Sequence, residues 1–374
     1  MTHPDLDDLL DAVTDVELPS GGLRNERPTR RDWILIGIVV ALAVAVLAAK
    51  VGGAQEPPSP AGMPRPGPVT DGPYVPQPIL PGGIVVPLYA PGSPDLKADR
   101  VREAETYNMA SGVPGRIQSI VNIHNPSIEA HFADPAINTG AAVIVVPGGG
   151  HRTLNVGSEG ADVVSYLYNY GVNAIILRNR LRNDGYVAEV DAVKDALQAL
   201  RLTRARAAEW KIDRQKIGIM GFSAGAELAS ATAIAFADFD EKNGGADKVS
   251  ARPSFVVLVY PGPTPFAKGA APKIPRNVPP TFIVCPGSGD RVHAIWADEY
   301  FSAMLKLGAP NLEMHIYGNG VHGGALKHRD GIPFGTWPDR FVDWFRDLGF
   351  LGKPGVETKA ERDVMAFVSQ PPLP

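Results

Sequence analysis

The stretch KIGIMGFSAGAELASATA, residues 216–233, decides how the chain reads. At its centre stands Gly221-Phe222-Ser223-Ala224-Gly225, a G-x-S-x-G pentapeptide. With 40 glycines and 15 serines in 374 residues, about 0.2 such matches arise by chance, so the pattern needs its surroundings. Ile217 to Met220 form a short apolar run of the buried-strand type, and the alanine-rich residues after Ala224 favour a helix. The pentapeptide therefore sits at a strand-to-helix junction. A nucleophilic serine on a sharp turn requires that place: glycines on either side relieve side-chain clashes, and the hydroxyl projects at a helix N-terminus that favours developing negative charge. The competing account is a tightly packed corner in which Ser223 is one small residue among several.

Outward from this stretch, short β-branched runs alternate with helical patterns. GIVVPLY, SIVNI, AAVIVV, NAIIL, KIGIM, SFVVLVY, TFIVC and LEMHIY read as strands. EGADVVSYLYNY, VAEVDAVKDALQALRLTRARAAEW, AGAELASATAIAFA, IWADEYFSAMLKL and WPDRFVDWFRDL read as helices. Near-continuous apolar strands separated by amphipathic helices predict an α/β fold: a mostly parallel central sheet of about eight strands, with helices on both faces, over residues 84–352. Residues 353–374 follow as a C-terminal tail.

A serine nucleophile needs a base, and the base needs an orienting carboxylate, in the chain order Ser, acid, His for this type of turn. After TFIVC, the loop PGSGDRVHA offers Asp290; after LEMHIY, the loop GNGVHGGAL offers His322 flanked by glycines. Asp298 and Glu299 fall on the following helix, where a solvated face accounts for them. His315 is fixed within a strand. His293 is too close in sequence to Asp290 to serve easily as its base and is instead a candidate pocket residue, while His328 is a second candidate base. The amide of Ala224 supplies one oxyanion donor, and Pro147-Gly148-Gly149-Gly150-His151, after AAVIVV, supplies bare glycine amides for the other. A phosphate cradle is the rival for that loop, but position 153 is Thr, so G-x-G-x-x-G is incomplete. The eight histidines show no H-E-x-x-H or comparable ligand spacing, and neither a metal nor a cofactor is expected.

These segments together, with AAVIVVPGGGHRTLNVGSEGADVVSYLYNYGVNAIILRNRL and PPTFIVCPGSGDRVH, resemble α/β-hydrolases of the acetylxylan-esterase-like group, also called endo-1,4-β-xylanase B-like or carbohydrate acetylesterases. The resemblance covers about Ile84 to Phe350. It implies an α/β-hydrolase fold with Ser223 as nucleophile, Asp290 as acid and His322 as base. It also implies Gly149, Gly150 and Ala224 as oxyanion donors, and a small-molecule or polysaccharide ester as substrate. Two departures bear on substrate preference: Gly225-Ala226-Glu227 where a second glycine is usual, and Asn179 where tyrosine is common. His151, Glu227 and His293 are the candidate substrate-binding residues. A serine peptidase of the same fold, and a tethered binding module without catalysis, are the alternatives.

The rest of the chain sets the context. A net charge of −4 with interspersed signs offers no basic field for nucleic acid. The single cysteine, Cys285, lies in an apolar run and reads as an inert buried thiol. Residues 1–32 form a polar leader ending in Arg27, Arg30 and Arg31. The uncharged run Trp33 to Ala49 is about 25 Å of helix, near the lower limit for a bilayer. Residues 33–54 read either as a membrane anchor with the N-terminus inside or as a signal segment, and both place the remainder outside the cytoplasm. The Pro/Gly-rich residues 55–83 read as an extended linker.

Overall fold

A strand buried on both faces needs apolar residues at consecutive positions, and the chain supplies several such runs. In the structure, a computed structural model, residues 72–243, 249–267, 269, 272–326 and 331–371 are described. Along them run β1 Ile84–Pro87, β2 Thr106–Met109, β3 Ile117–Val121, β4 Ser127–His131, β5 Ala142–Val146, α1 Asp162–Tyr168, β6 Asn173–Arg178, α2 Val193–Ala205, β7 Ile217–Phe222 and α3 Ala224–Asn243. There follow β8 Val256–Val259, β9 Thr281–Pro286, α4 Arg291–Leu307, β10 Leu312–Tyr317, α5 Trp337–Asp347 and α6 Lys359–Ser369. The main sheet has eight strands in the order β1-β4-β6-β5-β7-β8-β9-β10. The first two pairings, β1 with β4 and β4 with β6, are antiparallel, and the rest are parallel. Every residue of β5, β6, β7, β8 and β9 is buried. The expected mostly parallel eight-stranded sheet is therefore present.

Its membership differs from the sequence reading at one place. The run SIVNI enters a separate two-stranded hairpin, β2 with β3, and β4, residues 127–131, takes the place in the main sheet. The strand SIEAH escaped notice because its centre is Glu129, which the alternation rule sends to solvent. Glu129 is fully buried instead. It accepts from the amides of Ile79 (2.7 Å) and Leu80 (3.0 Å) and pairs with Arg178 at 2.9 Å. Buried charges persist only when paired in this way. The same bonds fix the end of the Pro/Gly-rich stretch against the sheet, so residues 72–83 lie on the domain. Their anchoring comes from backbone amides, to which composition is blind.

The C-terminal residues also pack. Thr358 caps α6 by accepting from the Glu361 amide, and Ala360 and Val364 are buried. Lys216 Nζ donates to the carbonyls of Gly352 (2.9 Å) and Lys353 (2.8 Å), tying this end to the start of β7. Beneath the sheet, Phe255 sits between Phe345 and Phe350, with ring centroids 4.8 and 4.6 Å away. The leader 1–32, the apolar segment 33–54 and the linker to residue 71 lie outside the described residues. Among the described residues no helix is long and apolar enough to cross a membrane.

In the turn from β7 into α3 the glycines relieve clashes, as the sequence reading expects, and do not supply the positive φ. Neither Gly221 nor Gly225 has positive φ; Ser223 itself takes the left-handed conformation, at φ 53°. The glycines are needed for close approach. A Cβ on Gly221 would stand 2.2 Å from the Gly225 carbonyl, and one on Gly225 would stand 2.0 Å from the Val146 carbonyl at the end of β5. Both obstacles are backbone and cannot swing aside. Gly225→Ala should therefore destabilise the fold by about 3 kcal/mol, read as a lowered urea midpoint at unchanged m-value.

Candidate active site

The C-terminal ends of β5, β7, β8, β9 and β10 bring the chemistry-bearing loops together. Ser223, held by its amide to the Val259 carbonyl at 3.0 Å, places its Oγ 2.8 Å from His322 Nε2. His322 Nδ1 lies 2.7 Å from Asp290 Oδ2. A carboxylate only accepts, so Nδ1 carries the proton and Nε2 is left to accept from the serine hydroxyl. The loops bearing Asp290 and His322 meet through glycine: a Cβ on Gly289 would lie 1.6 Å from the Gly320 carbonyl. Asp290 occupies the N-cap position of α4 yet makes no side-chain cap bond. Both of its oxygens are directed to imidazoles instead.

The second imidazole is His293, whose Nδ1 is bonded to Asp290 Oδ1. Sequence distance argues against His293 as the base paired with Asp290, yet a contact between them is natural, since positions three apart at a helix start share a face. The His293 ring stacks on His322, centroids 3.9 Å apart and 25° between planes. Burial holds His293 below the ordinary imidazole range, and the facing His322 acts in the same direction against the opposing pull of Asp290. Asp290, His293 and His322 offer three potential metal-ligand atoms within 4.8 Å of one another. Each Nδ1, however, is committed to its own oxygen of one carboxylate, the arrangement of a hydrogen-bonded base. Of the other candidates, His315 bonds Glu313 on its own strand at 2.7 Å, Asp298 and Glu299 are exposed on α4, and His328 lies outside the described residues. Cys285 is fully buried, which pushes its thiol pKa up.

The glycine loop after β5 lies directly against the serine. A Cβ on Gly148 would meet the Phe222 carbonyl at 2.5 Å and Ser223 Cβ at 2.9 Å. Gly149 and Gly150 follow at φ 130° and 63°, conformations that favour glycine. The Gly148 amide donates to Glu159 Oε2 at 2.8 Å, so the amides of Gly149 and Gly150 are the loop's candidates for a substrate oxygen. Ala224 opens α3, and an amide at that position has no intrahelical acceptor.

Sequence reasoning missed two supporting residues. Glu159, in a wide helical turn ahead of α1 (Gly157–Ala161), accepts from the Tyr260 hydroxyl at 2.9 Å, and that hydroxyl accepts from the Ala325 amide at 3.1 Å. Burial raises the Glu159 pKa, against the stabilising bonds from Tyr260 and Gly148. Tyr260 also stands edge-on to His322, centroids 4.9 Å apart. The only signal for Tyr260 is its place at the end of a strand, the usual position of a site residue in such sheets. His151 and Glu227, both candidate substrate-binding residues, are buried and bonded to each other, Nε2 to Oε2, at 2.9 Å. Glu227 also borders an apolar cavity of about 270 Å³ lined by Val193, Leu228, Ala231 and Pro263.

The family model BD-FAE matches residues 134–282, a span that holds the glycine loop and Ser223 and ends before Asp290 and His322. The endo-1,4-beta-xylanase B of Butyrivibrio fibrisolvens is 27% identical over 179 residues, 45% of this chain and 25% of the relative. The acetylxylan esterase of Xylanibacter ruminicola is 26% identical over 243 residues, 58% of this chain and 46% of the relative. The chain thus spans less than half the length of these curated relatives. Among solved structures, the acetyl ester-xyloside bifunctional hydrolase from Caldicellulosiruptor lactoaceticus matches at TM-score 0.53 and 29% identity, over 61% of this chain and 90% of that one. Sheet order and these similarities agree: the chain has an α/β-hydrolase-like fold, matches the BD-FAE model over residues 134–282 and is similar to acetylxylan esterases.

Proposed function

We propose that the protein is a serine esterase that hydrolyses acyl esters, acetyl esters on carbohydrate above all, by way of an acyl-enzyme. The observation that carries this reading is the continuous chain from Ser223 Oγ through His322 to Asp290, at 2.8 and 2.7 Å. His322 Nε2 takes the Ser223 proton as Oγ attacks the acyl carbonyl, and Asp290 stabilises the imidazolium that forms. The amides of Ala224, Gly149 and Gly150 hold the oxyanion. His322 then gives the proton to the leaving alcohol, and water repeats the sequence to release the acid. No step needs a cofactor. The acetylated-carbohydrate preference is supported by the similarity to acetylxylan esterase and by a site half open to solvent at Ser223 and exposed at His322, as a bulky alcohol requires.

We further propose that the domain works outside the cytoplasm, tethered or exported through residues 33–54 as a membrane anchor or signal segment. The support is the uncharged run behind Arg27, Arg30 and Arg31. The substrate reading is tested with 4-nitrophenyl acetate and butyrate, an aminoacyl-prolyl anilide and acetylated xylan. Acetate release from xylan and preference for acetate over butyrate are expected. Cleavage of the anilide alone would transfer the protein to the peptidases.

A further inference from the structure

The mechanism above leaves one imidazole without a task. His293 lies in the first turn of α4, its side chain 18% exposed, bonded through Nδ1 to the buried Asp290. Trp296 stands edge-on to it at 5.1 Å. The titratable groups whose charge acts on it are Asp290, from the cap of its own helix, and His322, from the loop after β10.

We propose that His293 is a positioning residue for the acid and base: it holds the second oxygen of Asp290 and shares that carboxylate's charge with His322. The proposal rests on the reading of Asp290 and His322 as acid and base. Asp290 is 6% exposed, so without His293 one carboxylate oxygen would be buried with its main donor gone, and the side chain would be free to rotate. With both N–H groups in place the carboxylate plane is fixed, and with it the direction in which His322 Nε2 faces Ser223.

A hydrogen bond to a carboxylate stabilises the ionised form and weakens its hold on a neighbouring imidazolium. Two donors on Asp290 therefore divide the carboxylate's charge between two imidazoles, so that neither is held by the whole of it. The stacked ring adds to this. Burial and the facing His322 hold the His293 pKa below the ordinary imidazole range, which favours the uncharged ring. Once charged, it would repel the imidazolium that must form 3.9 Å away. Both effects bear on how strongly the carboxylate and the stacked ring hold the imidazolium of His322, which the pH dependence of the variants reads.

The test compares kcat, KM and the pH dependence of kcat/KM for the parent, His293→Ala, His293→Asn and His293→Phe, with 4-nitrophenyl acetate and fluorophosphonate labelling of Ser223. Alanine removes the donor and the ring; asparagine keeps an N–H near Asp290; phenylalanine keeps the stack alone. We expect His293→Ala to lower kcat about 10- to 100-fold, with KM changed less than about twofold. Its acid limb should move up by about half a pH unit. His293→Asn should recover most of kcat and move the limb back, and His293→Phe should resemble alanine. A His293→Ala enzyme with parental kcat and acid limb overturns the proposal, as do equal losses in Ala and Asn at parental melting temperature, which would mean that ring packing is what counts. If alanine fails to fold, the Asn and Phe pair decides between the same outcomes. Parental hydrolysis that does not depend on Ser223 would overturn the triad, and this proposal with it.

Discussion

Ser223→Ala abolishes labelling by a fluorophosphonate and lowers kcat/KM for 4-nitrophenyl acetate by about 10⁴-fold or more, leaving only what binding and the amide donors supply without a nucleophile. The substitution removes one oxygen at a position of φ 53°, which alanine adopts no less readily than serine, so the urea midpoint should stay close to the parent's. Loss of activity at parental stability therefore reads the chemistry and not the fold. Hydrolysis at the parental rate would remove Ser223 from the mechanism.

Asp290→Asn is the second large effect, on the order of 10³- to 10⁴-fold in kcat. Two imidazole N–H groups converge on this carboxylate, one on each oxygen. An amide presents one acceptor and one donor, so one of the two histidines must turn its other tautomer inward. If that ring is His322, Nε2 carries the hydrogen and no longer accepts from Ser223. The count of donors makes the prediction sharper than in a site where the acid serves a single imidazole. Adding His293→Phe to Asp290→Asn leaves the amide free to present its oxygen to His322 alone. A partial recovery of kcat in the double variant relative to Asp290→Asn is then the expected coupling.

Much of this arrangement could be read along the chain, for identifiable reasons. Strands such as AVIVV and TFIVCP are buried on both faces and apolar at nearly every position, so their period and length were sufficient. Asp290 and His322 follow strands that end at the same edge of a parallel sheet, and the structure brings His322 to Ser223 and Asp290 to His322 at hydrogen-bonding distance. Where the reading failed, the deciding partners were far away in sequence. Glu129 is a core residue only because Arg178, Ile79 and Leu80, each about 50 residues distant, meet it. Glu227, a candidate substrate-binding residue, is buried against His151 from a loop 76 residues earlier. Glu159 and Tyr260 are separated by 101 residues; no local pattern marks Glu159, and Tyr260 has only its place at the end of a strand. Pairings of buried polar groups are long-range satisfactions of hydrogen-bonding capacity, and hydrophobic periodicity does not register them.

The bond from Tyr260 to Glu159 has a consequence for motion. One phenolic oxygen joins the amide of Ala325, three residues beyond His322, to the carboxyl that holds the Gly148 amide. The His322 loop, the end of β8 and the glycine loop are thus clasped at a single atom. In the language of hydrogen exchange they form one opening unit: swinging the His322 loop away from the sheet breaks the clasp that keeps the glycine loop in register, so the amides of Gly148 and Ala325 exchange on a common timescale. His322 and the glycine amides are then in place together or displaced together, and an arrangement holding one without the other is a rare state.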